Sequence, residues 1–208
     1  MIKRIALWGA LCLLGISFKA EAQNYAIGTN LPYWLTGTIN LQPSMALTQK
    51  LTLELGLQAK PIDFKFPMPT GLINTFYSDN SLSADERFRI HNVYHTQHAF
   101  IQPGIRYWAQ GAYNRSFFIG LNLIAGYYKF GTYTGDPTYS KGYLFGGGMS
   151  LGYAYELSPR WNIEGELGGS FVQALYDRYH RNGTLEAADQ QRSLLLPTRV
   201  SLSLVYIL

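Results

Sequence analysis

Almost every segment after Tyr25 keeps a two-residue hydrophobic period, and that period restricts the chain to strands with two unlike faces. Residues 51–58 set Leu51, Leu53, Leu55 and Leu57 against Thr52, Glu54, Gly56 and Gln58. Residues 39–48 set Ile39, Leu41, Met45 and Leu47 against Asn40, Gln42, Ser44 and Ala46. In 117–127 the apolar set is Phe117, Ile119, Leu121, Leu123, Ala125 and Tyr127. In 143–157, Tyr143, Phe145, Met149, Leu151, Tyr153, Tyr155 and Leu157 oppose Gly142, Gly146, Gly148, Ser150, Gly152 and Glu156. At the end, Val200, Leu202, Leu204, Tyr206 and Leu208 alternate with Arg199, Ser201, Ser203, Val205 and Ile207. The pattern predicts eight strands, over 25–34, 38–48, 50–60, 97–108, 116–128, 141–157, 160–175 and 197–208. No segment after residue 24 sustains a helical period. Pro43 and Pro103 fall inside strands and count against them, since proline cannot donate to a ladder.

A soluble sandwich and a membrane barrel both alternate; they differ in which face meets water. Three features favour the barrel. The lysines after residue 22 are Lys50, Lys60, Lys65, Lys129 and Lys141, all in turns, loops or strand ends, so the polar faces carry Gly, Ser, Asn, Gln and a few Glu and Arg. Aromatics gather at strand ends: Tyr25, Tyr107, Phe117, Tyr155, Trp161 and Tyr206 on one rim, with Trp34, Phe64, Tyr127, Tyr143 and Phe171 towards the other. Amphipathic rings favour headgroup level. Connections alternate short (near Thr48, 109–115, Ser158-Pro159) and long (61–96, 129–140, 176–196), as in outer-membrane barrels, and only the first, near Leu35-Thr36-Gly37, breaks the pattern. Strands this long suit a tilted crossing of about 9–11 residues. The expected fold is therefore all-β, an eight-stranded antiparallel up-and-down transmembrane β-barrel. A secreted soluble barrel or sandwich is the rival.

Residues 1–22 read as a secretory signal peptide: Lys3 and Arg4, an apolar run from Ile5 to Phe18, then Ala20-Glu21-Ala22 as an A-x-A site, with cleavage expected before Gln23. The barrel would then span 23–208 and lie in the outer membrane. The one cysteine, Cys12, sits in the leader, so the processed chain has no thiol chemistry. Only 14% of residues are charged and 15% are aromatic, which excludes a disordered chain. The pI is about 9.1, but a net charge of +4 with scattered basic residues argues against a nucleic-acid partner.

Several stretches resemble an uncharacterised outer-membrane β-barrel family of Bacteroidetes, catalogued as a domain of unknown function and akin to small OmpA/OmpX-like barrels. They are Gly28 to Leu31, Gln102-Pro103-Gly104-Ile105-Arg106-Tyr107-Trp108, Gly142 to Gly148, Arg160-Trp161-Asn162-Ile163-Glu164 and Pro197 to Leu202. The resemblance covers nearly the whole chain after the leader, and its motifs are barrel grammar rather than chemistry. It implies a link to fimbrial assembly and transfers no catalytic residue. The long 61–96 segment and a terminal Leu208, where barrel assembly signals prefer an aromatic, depart from that pattern.

An eight-stranded barrel is filled by side chains. Glu54, Arg106, Glu164, Glu166 and Arg199 fall on the polar parity, with Gln42, Gln102 and Asn122. Enclosed charges must pair, and a guanidinium can bond two carboxylates at once; these five predict a network that plugs the lumen.

Chemistry is sparse. His91, His95 and His98 have helical zinc spacing but His98 enters a strand and no H-E-x-x-H is formed. Asp177, His180 and Ser193 share the last predicted loop, but spacing alone is weak evidence for a nucleophile with its base, and such triplets arise by chance in most chains of this size. Gly146-Gly147-Gly148 reads as close strand packing, not a phosphate loop. The segment 61–96 mixes Pro61, Pro67 and Pro69 with Ser78 to Ser81 and a helix start at Ser83-Ala84-Asp85-Glu86. No catalytic residue, metal or cofactor is assigned. The expected role is a non-enzymatic scaffold or anchor among outer-membrane lipids and lipopolysaccharide, binding a surface or periplasmic protein. A narrow ion or small-solute channel is the first alternative and a lipid-modifying enzyme the second.

Overall fold

In the computed structural model, which describes residues 25–62, 66–67, 92–93, 97–110, 113–131 and 138–208, one antiparallel sheet closes on itself. Its strands are β1 (Tyr25–Asn30), β2 (Ile39–Ala46), β3 (Leu51–Lys60), β4 (Gln97–Trp108), β5 (Ser116–Gly131), β6 (Thr138–Ser158), β7 (Trp161–His180) and β8 (Leu185–Ile207). Each pairs with its chain neighbour, and β1 pairs with β8 to complete the ring. A separate two-residue ladder joins Phe66–Pro67 to Asn92–Val93. The expected leader with Cys12, Phe64, the expected helix start at Ser83, His91 and His95 lie outside the described residues.

The strands lengthen around the ring, from 6 residues in β1 to 23 in β8. This overturns two boundaries read from sequence. The first strand stops at Asn30, and a short helix, α1 (Leu31–Leu35), follows it. Pro32 stands at the first helical turn, where its missing N–H costs nothing, and Gly37 (φ 68°) turns the chain into β2. The predicted loop 176–196 is a hairpin. Strand β7 runs to His180, Gly183 (φ 88°) makes the turn, and the His180 N–H donates to Thr184 O at 2.8 Å. Residues 181–186 and 188–193 are exposed. A sheet with water on both faces has no reason to alternate, so its sequence does not announce it.

The two internal prolines sit where a ladder rung is skipped. The pairing of β4 with β5 passes from Ile101↔Ala125 to Gly104↔Asn122 without a register shift, and that of β2 with β3 from Leu41↔Leu57 to Ser44↔Glu54. Closure between β1 and β8 runs only from Ala26↔Ile207 to Asn30↔Ser203. Beyond Ser203, no described strand pairs with β8 on that side. The end of β1 is fastened to β2 instead: the Asn30 N–H donates to Asn40 Oδ1 at 2.6 Å and Asn40 Nδ2 returns to Asn30 O at 3.0 Å.

Candidate functional site

Parity decides which side chains enter the ring. The charged residues expected in the lumen point inwards and are buried: Glu54, Arg106, Glu164, Glu166 and Arg199 are each no more than 6% exposed. Large apolar residues of the opposite parity point outwards, with Leu123 62%, Tyr143 65%, Met149 60% and Leu167 68% exposed. This inverts the arrangement of a water-soluble core.

The five charged residues meet in one layer. Arg106 spreads its fork over three carboxylates: Nε lies 2.7 Å from Glu54 Oε2, Nη1 2.6 Å from Glu164 Oε1 and Nη2 2.8 Å from Glu166 Oε2. Arg199 approaches Glu54 at 2.8 Å and Glu166 at 3.5 Å. Strands β3, β4, β7 and β8 therefore converge on one point. Room for that comes from Gly104 and Gly120. A Cβ added at Gly104 would sit 2.9 Å from Glu54 Oε1, and one at Gly120 would meet Ser150 Oγ. Gly146 and Gly148 leave no space for a Cβ before the backbone of β7.

Below this layer Trp108, Phe118 and Ala154 form an apolar plug. Trp108 Nε1 donates to Thr52 Oγ1 at 2.8 Å, and the Arg106 guanidinium lies 4.3 Å over the Phe118 ring. The turn before β5 tucks in beneath: Tyr113 meets the Ser44 hydroxyl at 3.1 Å, and Asn162 donates to Asn114 O. Burial pushes the Tyr113 phenol above its usual titration range. Above the layer, Ile124, Leu144, Val172 and Ala174 pack together on one wall. On the other, Asn30, Tyr33, Asn40, Gln42, Gln102 and Arg199 line a cavity of about 10 Å³, the room of one water. Asn122 accepts from Ser170 at 3.2 Å and Gln42 from Ser203 at 3.3 Å. The inward apolar residues are the part sequence reasoning missed. Trp108, Phe118, Ile124, Leu144 and Val172 all stand on the polar parity, a signal available in the sequence. One lysine, Lys60, also turns inwards, opposite His98 at the end of β3.

The aromatic residues of the turn-side rim, Tyr25, Tyr107, Phe117, Tyr155, Trp161 and Tyr206, sit at or near strand ends beside the short turns, and Trp161 and Tyr206 pack at 4.8 Å. The second band is ragged. Tyr127 and Tyr143 are register partners with rings 5.8 Å apart, but Phe171 lies four residues lower on β7 and Trp34 belongs to α1.

The candidate catalytic trio does not assemble. Ser193 pairs with Gln173 and donates to its Oε1, whereas His180 lies seven residues further along β7, about 23 Å at 3.3 Å per residue. Asp177 accepts from the Asp189 N–H and the Tyr179 hydroxyl. His98 stacks on Phe100 at 5.0 Å. Among the described residues no group of three His, Cys, Asp or Glu could hold a metal ion.

A family model described as a protein of unknown function, DUF3575, matches residues 8–208. No curated protein and no solved structure matches the chain.

Proposed function

The chain belongs to the DUF3575 family, and we propose that it is a non-enzymatic β-barrel of a Gram-negative outer membrane, serving as an anchor or scaffold for a surface or periplasmic protein assembly. One observation carries this reading: charge is enclosed and hydrocarbon is displayed. Five ionisable side chains are buried within the ring while a belt of Leu, Ile, Met, Phe and Tyr covers its outside. Apolar surface on that scale needs a nonaqueous partner, and a closed ring leaves few backbone groups for lipid to strand. The apolar run Ile5–Phe18 followed by Ala20-Glu21-Ala22 supports export.

The filled lumen favours anchoring over transport, and the scattered Asp177, His180 and Ser193 give lipid chemistry no nucleophile–base pair. The tall side of the ring, where β6 to β8 rise beyond β1 to β4, supplies a surface for a protein partner. The test is fractionation of cells expressing the tagged chain. The protein should remain with outer membranes after alkaline carbonate extraction, and crosslinking from intact cells should recover a defined partner. Recovery in the soluble fraction without detergent would sink the reading.

A further inference from the structure

Four strands carry an outward row just past the second aromatic band: Gln97, Lys129, Lys141 and Asp177 are consecutive register partners on β4 to β7. Lys129 and Lys141 are directly opposite each other. Like charges in that position repel, so the pair needs a reason or an anion.

Among the described residues the one acid in this row is Asp177. Asp177 stands opposite Lys141, but its two oxygens accept from the Asp189 N–H at 2.9 Å and the Tyr179 hydroxyl at 3.3 Å. No salt bridge to Lys129 or Lys141 forms among the described residues. Lys129 is steered instead by the Tyr139 ring, whose centroid lies 4.8 Å from its Nζ. Tyr139 in turn stacks on Tyr179 at 5.4 Å with an interplanar angle of 15°. One rung below the lysines, Tyr127 and Tyr143 face outwards on the same parity. Tyrosines at this level mark the edge of the hydrocarbon, and cations one rung beyond them stand at headgroup depth, where long side chains reach for phosphate.

We propose that Lys129 and Lys141 form a docking point for the phosphate of an anionic lipid headgroup in the outer leaflet, framed by Tyr127 and Tyr143 below and Tyr139 above. This deepens the membrane reading and rests on it. The phosphate settles the repulsion between the two ammonium groups and fixes how deep the barrel sits.

The test is flotation of the full chain with liposomes of zwitterionic phosphatidylcholine, with and without phosphorylated lipid A, beside Lys129→Gln, Lys141→Gln, the double variant and Lys50→Gln on the opposite rim. Lipid A should strengthen association of the unaltered chain. Each rim substitution should weaken that gain about 5-fold (about 1 kcal/mol per lysine) and the double about 30-fold, while Lys50→Gln changes nothing. Inorganic phosphate at millimolar concentration should compete poorly. An equal gain in the double variant, or full competition by free phosphate, overturns the lipid site while the barrel still floats with phosphatidylcholine. Failure to float with either liposome overturns the membrane reading and this inference with it.

Discussion

Arg106 on β4 holds Glu164 on β7 at 2.6 Å, reaching past two intervening strands through the lumen. The layer around this contact has two guanidiniums for three carboxylates, so full ionisation leaves one negative charge in excess. Glu54 and Glu166 each meet both arginines, while Glu164 meets Arg106 alone. Glu164→Gln is therefore the mildest of the three neutralisations, within about 1 kcal/mol of the unaltered chain. Arg106→Met strands three carboxylates around one arginine and should cost about 3–5 kcal/mol. Reversible urea unfolding in detergent micelles measures both, and an equal cost for the two would contradict the charge count.

A filled lumen does not conduct freely. Purified protein in planar bilayers should stay closed, because the Arg106 layer, the Trp108–Phe118 plug and the Tyr113 turn lie in series. Steady nanosiemens-scale openings would show a continuous water path through all three.

Outward placement of Leu123 makes a sharp test of environment. Arginine there should cost about 2–4 kcal/mol at the middle of a bilayer. In water an exposed leucine at 62% tolerates the same change almost freely. Folding yield into lipid vesicles of Leu123→Arg against the unaltered chain separates the two.

Two glycines should behave oppositely. A Cβ at Gly152 runs into the Phe118 ring inside the lumen, and Gly152→Ala should cost about 1–3 kcal/mol through overpacking. Gly165 faces outwards with nothing within 4 Å of an added Cβ, so Gly165→Ala should be silent in the same unfolding assay.

Tyr113 gives the turn beneath the barrel a pH dependence. Burial raises its phenol in the folded chain, so on raising the pH the unfolded chain gives up this proton first. Its stabilising share is intact below the ordinary tyrosine value of about 10 and falls as the pH climbs through it. Tyr113→Phe should flatten the alkaline limb of the stability profile; an unchanged limb would show that the phenol titrates in water.

Much of the architecture was legible because parity is a local property. Glu54, Arg106, Glu164, Glu166 and Arg199 needed only their place in an alternating strand to be set on one face, and the ring then brought them together. What a period of two cannot report is height. Nothing in Trp108 or Val172 says that a polar face tolerates a bulky apolar residue above and below its charged layer. The segment Glu186 to Arg192 loses its alternation because neither face is covered, so it read as loop although Asn182-Gly183 is a strong hairpin signal. Leu31 to Trp34 was read as strand because a five-residue helix is shorter than any helical period can establish.

The closure between the first and last strands gives the ring a latch. Tyr25 O accepts the N–H of Leu208 at 3.0 Å, and pairing climbs only as far as Asn30 and Ser203 before the two partners separate. Those few rungs are all that joins the first described strand to the last, so the whole circumference hangs on five residues from each border.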